Sequence, residues 1–310
     1  ILMRLNKKFT INKYINMNCC WRSIAVVNES RSGIEDISVV DNEYLDFDIS
    51  NCMHKFLGEG HYGKCYKITM NGKDYTCKKI NYLKNNKFNK EITILKNINK
   101  NEYLFEFFIS FSNLNNHYIL YNYIPGNDLF QSLKNGYFEL HNKNKVLKVI
   151  TQINNGLFEL FNNNLVHLDI KLENIILTNK DPIKIKIIDL ESCQRINKRK
   201  NTYCGTAGYA SPEMLLQNKY YYNTDIWSLG IVLFMLYTHD NFICKNITTN
   251  SDYNWLSFFE KYNHTYIKNK LLESNSYDED IFELLRVMLN KLHVYRISIH
   301  SLKKHRLLQI

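Results

Sequence analysis

Val166-His167-Leu168-Asp169-Ile170-Lys171-Leu172-Glu173-Asn174-Ile175-Ile176-Leu177 is the stretch that decides how this chain is read. Its polar residues stand at fixed offsets inside an apolar run, so a buried frame carries a small polar loop. Asp169, Lys171 and Asn174 converging there offer a base, a cation and a metal ligand together. Further on, Ile185–Ile188 reads as an apolar strand with Asp189 at its end. A carboxylate in that position suits a divalent metal. A hairpin with incidental polar residues does not account for Asp169, Lys171, Asn174 and Asp189 at once.

Upstream of this stretch the pattern is that of strands. His54–Leu57 leads into Gly58-Glu59-Gly60-His61-Tyr62-Gly63, and Gly63–Met70 leaves it. Asn71-Gly72 is a hairpin turn signal, and Asp74–Ile80 forms the next strand. Alone, this glycine spacing also occurs in dinucleotide-binding folds and by chance. Here it lies between two strands of a hairpin, where glycine lets the backbone close over phosphates. Lys78 lies in mid-strand beneath that roof. It can pair with phosphates there, or stand exposed on an edge strand. Phe88–Ile98 has helical spacing, with Ile92, Leu95 and Ile98 on one face. Glu91 on that helix either holds Lys78 in an ion pair or is one surface acid among many. Phe105–Phe111 and His117–Ile124 read as two more strands. After Pro125-Gly126 the chain becomes mostly helical, with Leu129–Leu133, Lys143–Phe161, Asp225–Tyr237 and Asp280–Leu289 the best candidates. The expectation is an α+β architecture with a small β-rich lobe at about 51–122, a hinge at about 122–126 and a larger helical lobe at about 127–310. Residues 1–50 show no clear period and are expected to be an extension, partly disordered or packed on the domain surface.

Composition narrows the function classes. Hydrophobic residues make up 45% of the 310, enough for a real core, and 3 prolines and 11 glycines argue against long linkers. The net charge of +10 is spread along the chain, with no nucleic-acid motif behind it, so a solvated basic surface is expected and nucleic acid is not. The 8 cysteines form no CxxC pair and no Cys/His ligand spacing, which excludes a disulfide framework or a zinc site and fits a reducing compartment. No apolar run approaches the ~20 residues of a membrane span, and no secretory signal is visible. An intracellular monomer, in cytoplasm or nucleus, is the expectation.

Taken in order, these pieces resemble the eukaryotic-type protein kinases over about residues 51–306. The glycine loop, Lys78, Glu91, the hinge Asn122-Tyr123-Ile124, the loop His167–Asn174 and Asp189 follow the family order. Ser211-Pro212-Glu213 stands where the family has Ala-Pro-Glu. Thr224-Asp225-Ile226-Trp227-Ser228-Leu229-Gly230 resembles the central helix of the large lobe, with Asp225 in a structural role. Arg296 sits where the family arginine pairs with the glutamate of that motif, here Glu213. The resemblance implies a bilobal fold that transfers the γ-phosphate of ATP, with Mg²⁺ or Mn²⁺, to protein substrates. A pseudokinase acting as a nucleotide-binding scaffold is the alternative.

The same resemblance implies roles. Leu57, Gly58, Gly60, Gly63, Cys65, Thr76, Asn122 and Ile124 would surround the nucleotide, Tyr121 would be the gatekeeper and Asp128 would bind ribose. Lys78, held by Glu91, would contact the α/β-phosphates. Asp169 would accept the substrate proton, Lys171 would steady the γ-phosphate, and Asn174 and Asp189 would hold the metal. Thr206 and Lys171 mark the serine/threonine branch, Thr202 occupies the usual phosphosite, and Glu173 with Asp128 resembles acidic positions that favour basic residues before the target hydroxyl. The chain also departs from the pattern. Cys65 and Thr76 replace Val and Ala, and the interval from Lys78 to Glu91 is short. Leu168 replaces the arginine of His-Arg-Asp, which implies weak dependence on loop phosphorylation. Asp189-Leu190-Glu191 replaces Asp-Phe-Gly, which puts another carboxylate near the metals.

Overall fold

The computed structural model describes residues 53–60, 63–70, 72–81, 83, 85–98, 100–112, 115–139, 142–196, 205–240, 255–261, 263–273 and 277–309. The extension expected over 1–50 and Thr202, the expected phosphosite position, lie outside the described residues.

Five antiparallel strands build the first lobe: β1 (Met53–Glu59), β2 (Gly63–Met70), β3 (Lys73–Asn81), β4 (Phe107–Ser112) and β5 (Asn116–Asn122), in the order β1-β2-β3-β5-β4. Alternation along the central strands sorts their side chains onto two faces. Tyr75 and Cys77 of β3 join Ile68, Tyr118 and Leu120 in an outer cluster. Ile80, Ile119 and Tyr121 point the other way, into the main core. β5 is therefore buried on both faces, which is why its sequence reads as a nearly continuous apolar run.

Helix α1 (Asn85–Asn97) lies against the inner face and starts three residues earlier than its apolar spacing suggested. Phe88, Ile92, Ile94 and Leu95 are its buried apolar residues, and Phe88 stacks on His117 with ring centroids 4.2 Å apart. Ile98, expected on the same face, lies just past the end of the helix and is partly buried against the core.

The chain leaves the sheet at Asn122 and turns at Gly126, where φ is +133° and a Cβ would stand 2.1 Å from the Leu177 carbonyl oxygen. Only glycine fits that approach. β6 (Asn127–Asp128) then pairs with β8 (Ile175–Lys180), which pairs with β9 (Ile183–Ile187). α2 (Leu129–Lys134) and α3 (Lys143–Asn162) follow the hinge, and β7 (Leu165–Val166) pairs with β10 (Gln194–Arg195). In α3, Val146, Val149, Ile150, Ile153, Leu157 and Leu160 are buried at helical spacing, a stripe that packs on the core.

α4 (Pro212–Gln217) carries proline in its first turn, where the missing N–H costs nothing. α5 (Thr224–Thr238) is buried at every position, the mark of a central helix rather than a surface one. Around it lie α6 (Trp255–Lys261), α7 (His264–Glu273), α8 (Glu279–Met288) and α9 (Ile299–Lys303). Among the described residues no helix is long and apolar enough to cross a membrane.

Candidate active site

The turn around Asp169 is set by backbone constraint. Leu168 has φ +68°, a left-handed conformation that a branched side chain rarely adopts. It is held there because the carboxylate of Asp225, at the start of α5, accepts the backbone N–H of His167 at 2.7 Å and of Leu168 at 2.8 Å. Burial pushes the Asp225 carboxyl above its ordinary value, with His167 and the two N–H groups pulling it back. The His167 ring donates from Nε2 to the Ile188 carbonyl at 3.3 Å, and its Nδ1 accepts the Asp169 N–H at 3.3 Å.

So anchored, Asp169 stands among donors. The Thr206 hydroxyl donates to its Oδ1 at 2.7 Å, and the Lys171 ammonium lies 2.9 Å from its Oδ2. Asn174 Nδ2 donates to Oδ2 at 3.1 Å and to the Asp169 carbonyl at 2.8 Å. Lys171 also donates to the Thr206 hydroxyl at 2.9 Å, which closes the set. Gly205, just before Thr206, has φ +96°, and a Cβ there would lie 2.2 Å from the Leu168 carbonyl oxygen. Close approach of the two segments is what lets Thr206 reach Asp169.

Lys78 has the opposite surroundings. Register places it between Cys65 of β2 and Ile119 of β5, and it is buried. Its ammonium donates to Glu91 Oε1 at 3.0 Å and Oε2 at 2.8 Å. Glu191 Oε2 lies 2.8 Å away and Asp189 Oδ1 3.9 Å away. Burial pushes the ammonium down, yet Glu91, Asp189 and Glu191 together hold it above its ordinary value. Burial raises the Glu191 carboxyl, with Lys78 pulling it back. Tyr121, the residue opposite Thr76, donates from its phenol to Glu91 Oε1 at 2.7 Å. Burial and then the Glu91 charge push that phenol well up. The Cys65 thiol is pushed up to about 11 by burial, so it is a neutral wall residue.

The other residues singled out in the sequence fall as follows. Leu57 lies exposed and Gly58 half-buried on β1, and the Gly60 N–H donates to the Gly63 carbonyl at 2.9 Å. Thr76 is half-buried on β3, and Ile124 is half-buried in the hinge. Asn122 donates from its amide to Glu106 at 2.7 Å. Asp128 caps α2 by accepting the Gln131 N–H at 2.7 Å, which occupies one of its oxygens. Glu173 accepts from the Tyr209 hydroxyl at 3.4 Å. Glu213 and Arg296 form a bidentate pair at 2.7 and 2.8 Å with almost no exposure. Burial raises the Glu213 carboxyl, but the Arg296 bonds and charge outweigh it and hold it below its ordinary value.

Sequence reasoning placed an extra carboxylate near the metal residues but missed that Glu191 reaches Lys78. It also missed the apolar cluster of Val166, Leu168, Ala210 and Met214, with Ile196, Leu215 and Tyr220 packed on it.

Asn174 turns its amide nitrogen to Asp169, leaving the carbonyl oxygen as the end that can ligate a cation. Asp189 is partly exposed, so its carboxylate is reachable. Two oxygen donors suit a hard cation. Among the described residues no group of three or more His, Cys, Asp or Glu could cage a metal by itself.

The family model for the protein kinase domain matches residues 52–308. The chain belongs to the protein kinase family. Its relatives include proteins named as serine/threonine-protein kinases, and they do not resolve a subfamily. It is 31% identical to the mouse serine/threonine-protein kinase Nek5 over 59% of the chain and 30% of that protein. It is 28% identical to calcium-dependent protein kinase 29 of Arabidopsis thaliana over 66% of the chain and 40% of that protein. The Aurora kinase of Yarrowia lipolytica is 30% identical over 61% of the chain and 51% of its own length. The chain thus spans about half or less of these relatives.

Proposed function

We propose that this kinase transfers the γ-phosphoryl group of ATP, bound with Mg²⁺ or Mn²⁺, to serine or threonine hydroxyls of protein substrates. The observation that carries this reading is the closed set of Asp169, Lys171 and Thr206. A carboxylate that accepts from a hydroxyl and an ammonium is fixed in place, ready to orient an incoming alcohol and accept its proton. Lys171 lies beside the other oxygen of that carboxylate, Oδ2, while Thr206 bonds Oδ1, and it offsets charge that develops as the phosphoryl group moves. Thr206, bonded to both, holds the acceptor segment against the loop. Asn174 and Asp189 would hold the cation, which neutralises phosphate charge. Lys78 would orient the α/β-phosphates.

Glu173 and Asp128 support a preference for basic residues ahead of the target hydroxyl. A peptide library without Arg/Lys enrichment at those positions would remove that part. Leu168 sits in an apolar cluster with residues of the activation segment, which supports activity that depends little on phosphorylation of Thr202.

A scaffold reading draws on Lys78, whose donors are taken by Glu91 and Glu191. Transfer of label from [γ-³²P]ATP to a generic basic protein, with Asp169→Asn beside it, separates the two. Label on serine or threonine from the wild type alone supports the enzyme. No label from folded protein with either metal supports the scaffold.

A further inference from the structure

Lys78 has three N–H donors, and three acceptor oxygens stand within 3.0 Å of its nitrogen: both oxygens of Glu91 and Oε2 of Glu191. The first two belong to the ion pair that fixes the lysine on its strand. The third position is where a phosphate oxygen would have to bind. Glu191 Oε2 also lies 3.9 Å from where a Cβ on Gly60 would stand, so the carboxylate sits beneath the glycine loop. Its side chain is 10% exposed. Asp189, turned into the left-handed region at φ +64°, accepts the Glu191 N–H at 3.2 Å, and that turn directs residue 191 back toward the sheet.

Building on the ATP-binding reading above, we propose that Glu191 is an internal stand-in for nucleotide phosphate, one that makes nucleotide binding depend on a divalent cation. One ammonium faces three carboxylates, Glu91, Glu191 and Asp189. The group is a net anion as it stands. A metal-free nucleotide polyphosphate must displace one carboxylate from Lys78 and then lie beside it, anion against anion. A cation carried by the phosphates removes that conflict. It gives the displaced Glu191, two residues from Asp189, an opposite charge to face, and it leaves the third donor of Lys78 for phosphate. Adenosine has no phosphate, does not reach Lys78 and is indifferent to both Glu191 and the cation.

The test is binding of a non-hydrolysable ATP analogue and of adenosine by titration calorimetry. Wild type, Glu191→Gln and Glu191→Gly are each run in EDTA and in Mg²⁺, with thermal melts to show that each is folded. The wild type is expected to bind the analogue at least about 100-fold more tightly with Mg²⁺. Both variants are expected to gain about 10-fold or more in EDTA, so their Mg²⁺ dependence shrinks, while adenosine affinity stays the same throughout. Folded variants that bind the metal-free analogue no better than wild type, with adenosine bound by all, overturn the role of Glu191 and leave the ATP reading standing. If neither ligand binds any protein, with or without Mg²⁺, the ATP reading falls and this proposal with it. A Glu191→Gln gain without a Glu191→Gly gain, or the reverse, would point to repacking and also count against the proposal.

Discussion

Lys78 and Asp169 are surrounded in opposite ways. Lys78 is one cation among three carboxylates, with its donors already spent. Asp169 is one carboxylate among a hydroxyl, an ammonium and an amide, held by a backbone that Asp225 clamps from below. On the proposed reading the second arrangement is complete as it stands, because its donors stabilise the charge that transfer would need. On the same reading the first must be rearranged before a phosphate can enter. Geometry for the proposed transfer step is then built in, and access for the nucleotide is what would have to be made.

Breaking the Asp169 side should have the largest effect. Asp169→Asn removes the proposed proton acceptor and keeps the shape, so kcat should fall by ~10²–10⁴, while the Kd for Mg²⁺·nucleotide moves little. A large loss of nucleotide affinity would mean that the two regions are not separate. Next comes Lys78→Met, which leaves Glu91, Glu191 and Asp189 facing one another without a cation. It should cost ~3–5 kcal/mol of stability by chemical denaturation. Adding Glu191→Gln should restore ~1–2 kcal/mol of that, a coupling that independent sites would not show.

Smaller effects sharpen the same contrast. Thr206→Val deletes the hydroxyl between Asp169 and Lys171 and should lower kcat by roughly 10- to 100-fold, as expected for hydrogen bonds to charged groups. Thr206→Ser should recover most of the loss with the nucleotide KM unchanged. Thr202→Ala should change the rate by less than about twofold, because apolar packing of Leu168 replaces an arginine that would read a phosphate. A tenfold drop in that variant would show that Lys198–Lys200 or Arg195 does the reading instead.

The sequence made the Asp169 side far more legible than the Lys78 side. Asp169, Lys171 and Asn174 lie within one short loop, so local spacing nearly determines their convergence. Thr206 is distant in sequence, and the glycine before it is the local hint that two backbones touch. The role of Glu191 depends on a left-handed turn at Asp189, and no pattern in a single sequence announces such a turn for a non-glycine residue. The pairing of Tyr121 with Glu91 likewise depends on strand register.

Among the elements, β2 was read as Gly63–Met70 and is found there. The central helix extends one residue beyond its expected span at each end. α6 and α9 are short, and in α7 the apolar residues are interleaved with Asn and Lys, so none of the three gives a clear helical period. The start of α1 was set late because Asn85 to Lys87 give no apolar signal.

On the proposed reading, the Asp169 side is ready for transfer once nucleotide is in place. Single-turnover transfer from saturating Mg²⁺·ATP to a serine- and threonine-containing basic substrate tests it most directly, with affinity measured on the same samples for wild type and Asp169→Asn. The account predicts that both bind nucleotide comparably and that only the wild type forms phosphoserine or phosphothreonine. Wild-type protein that binds Mg²⁺·ATP and transfers no faster than Asp169→Asn would contradict it.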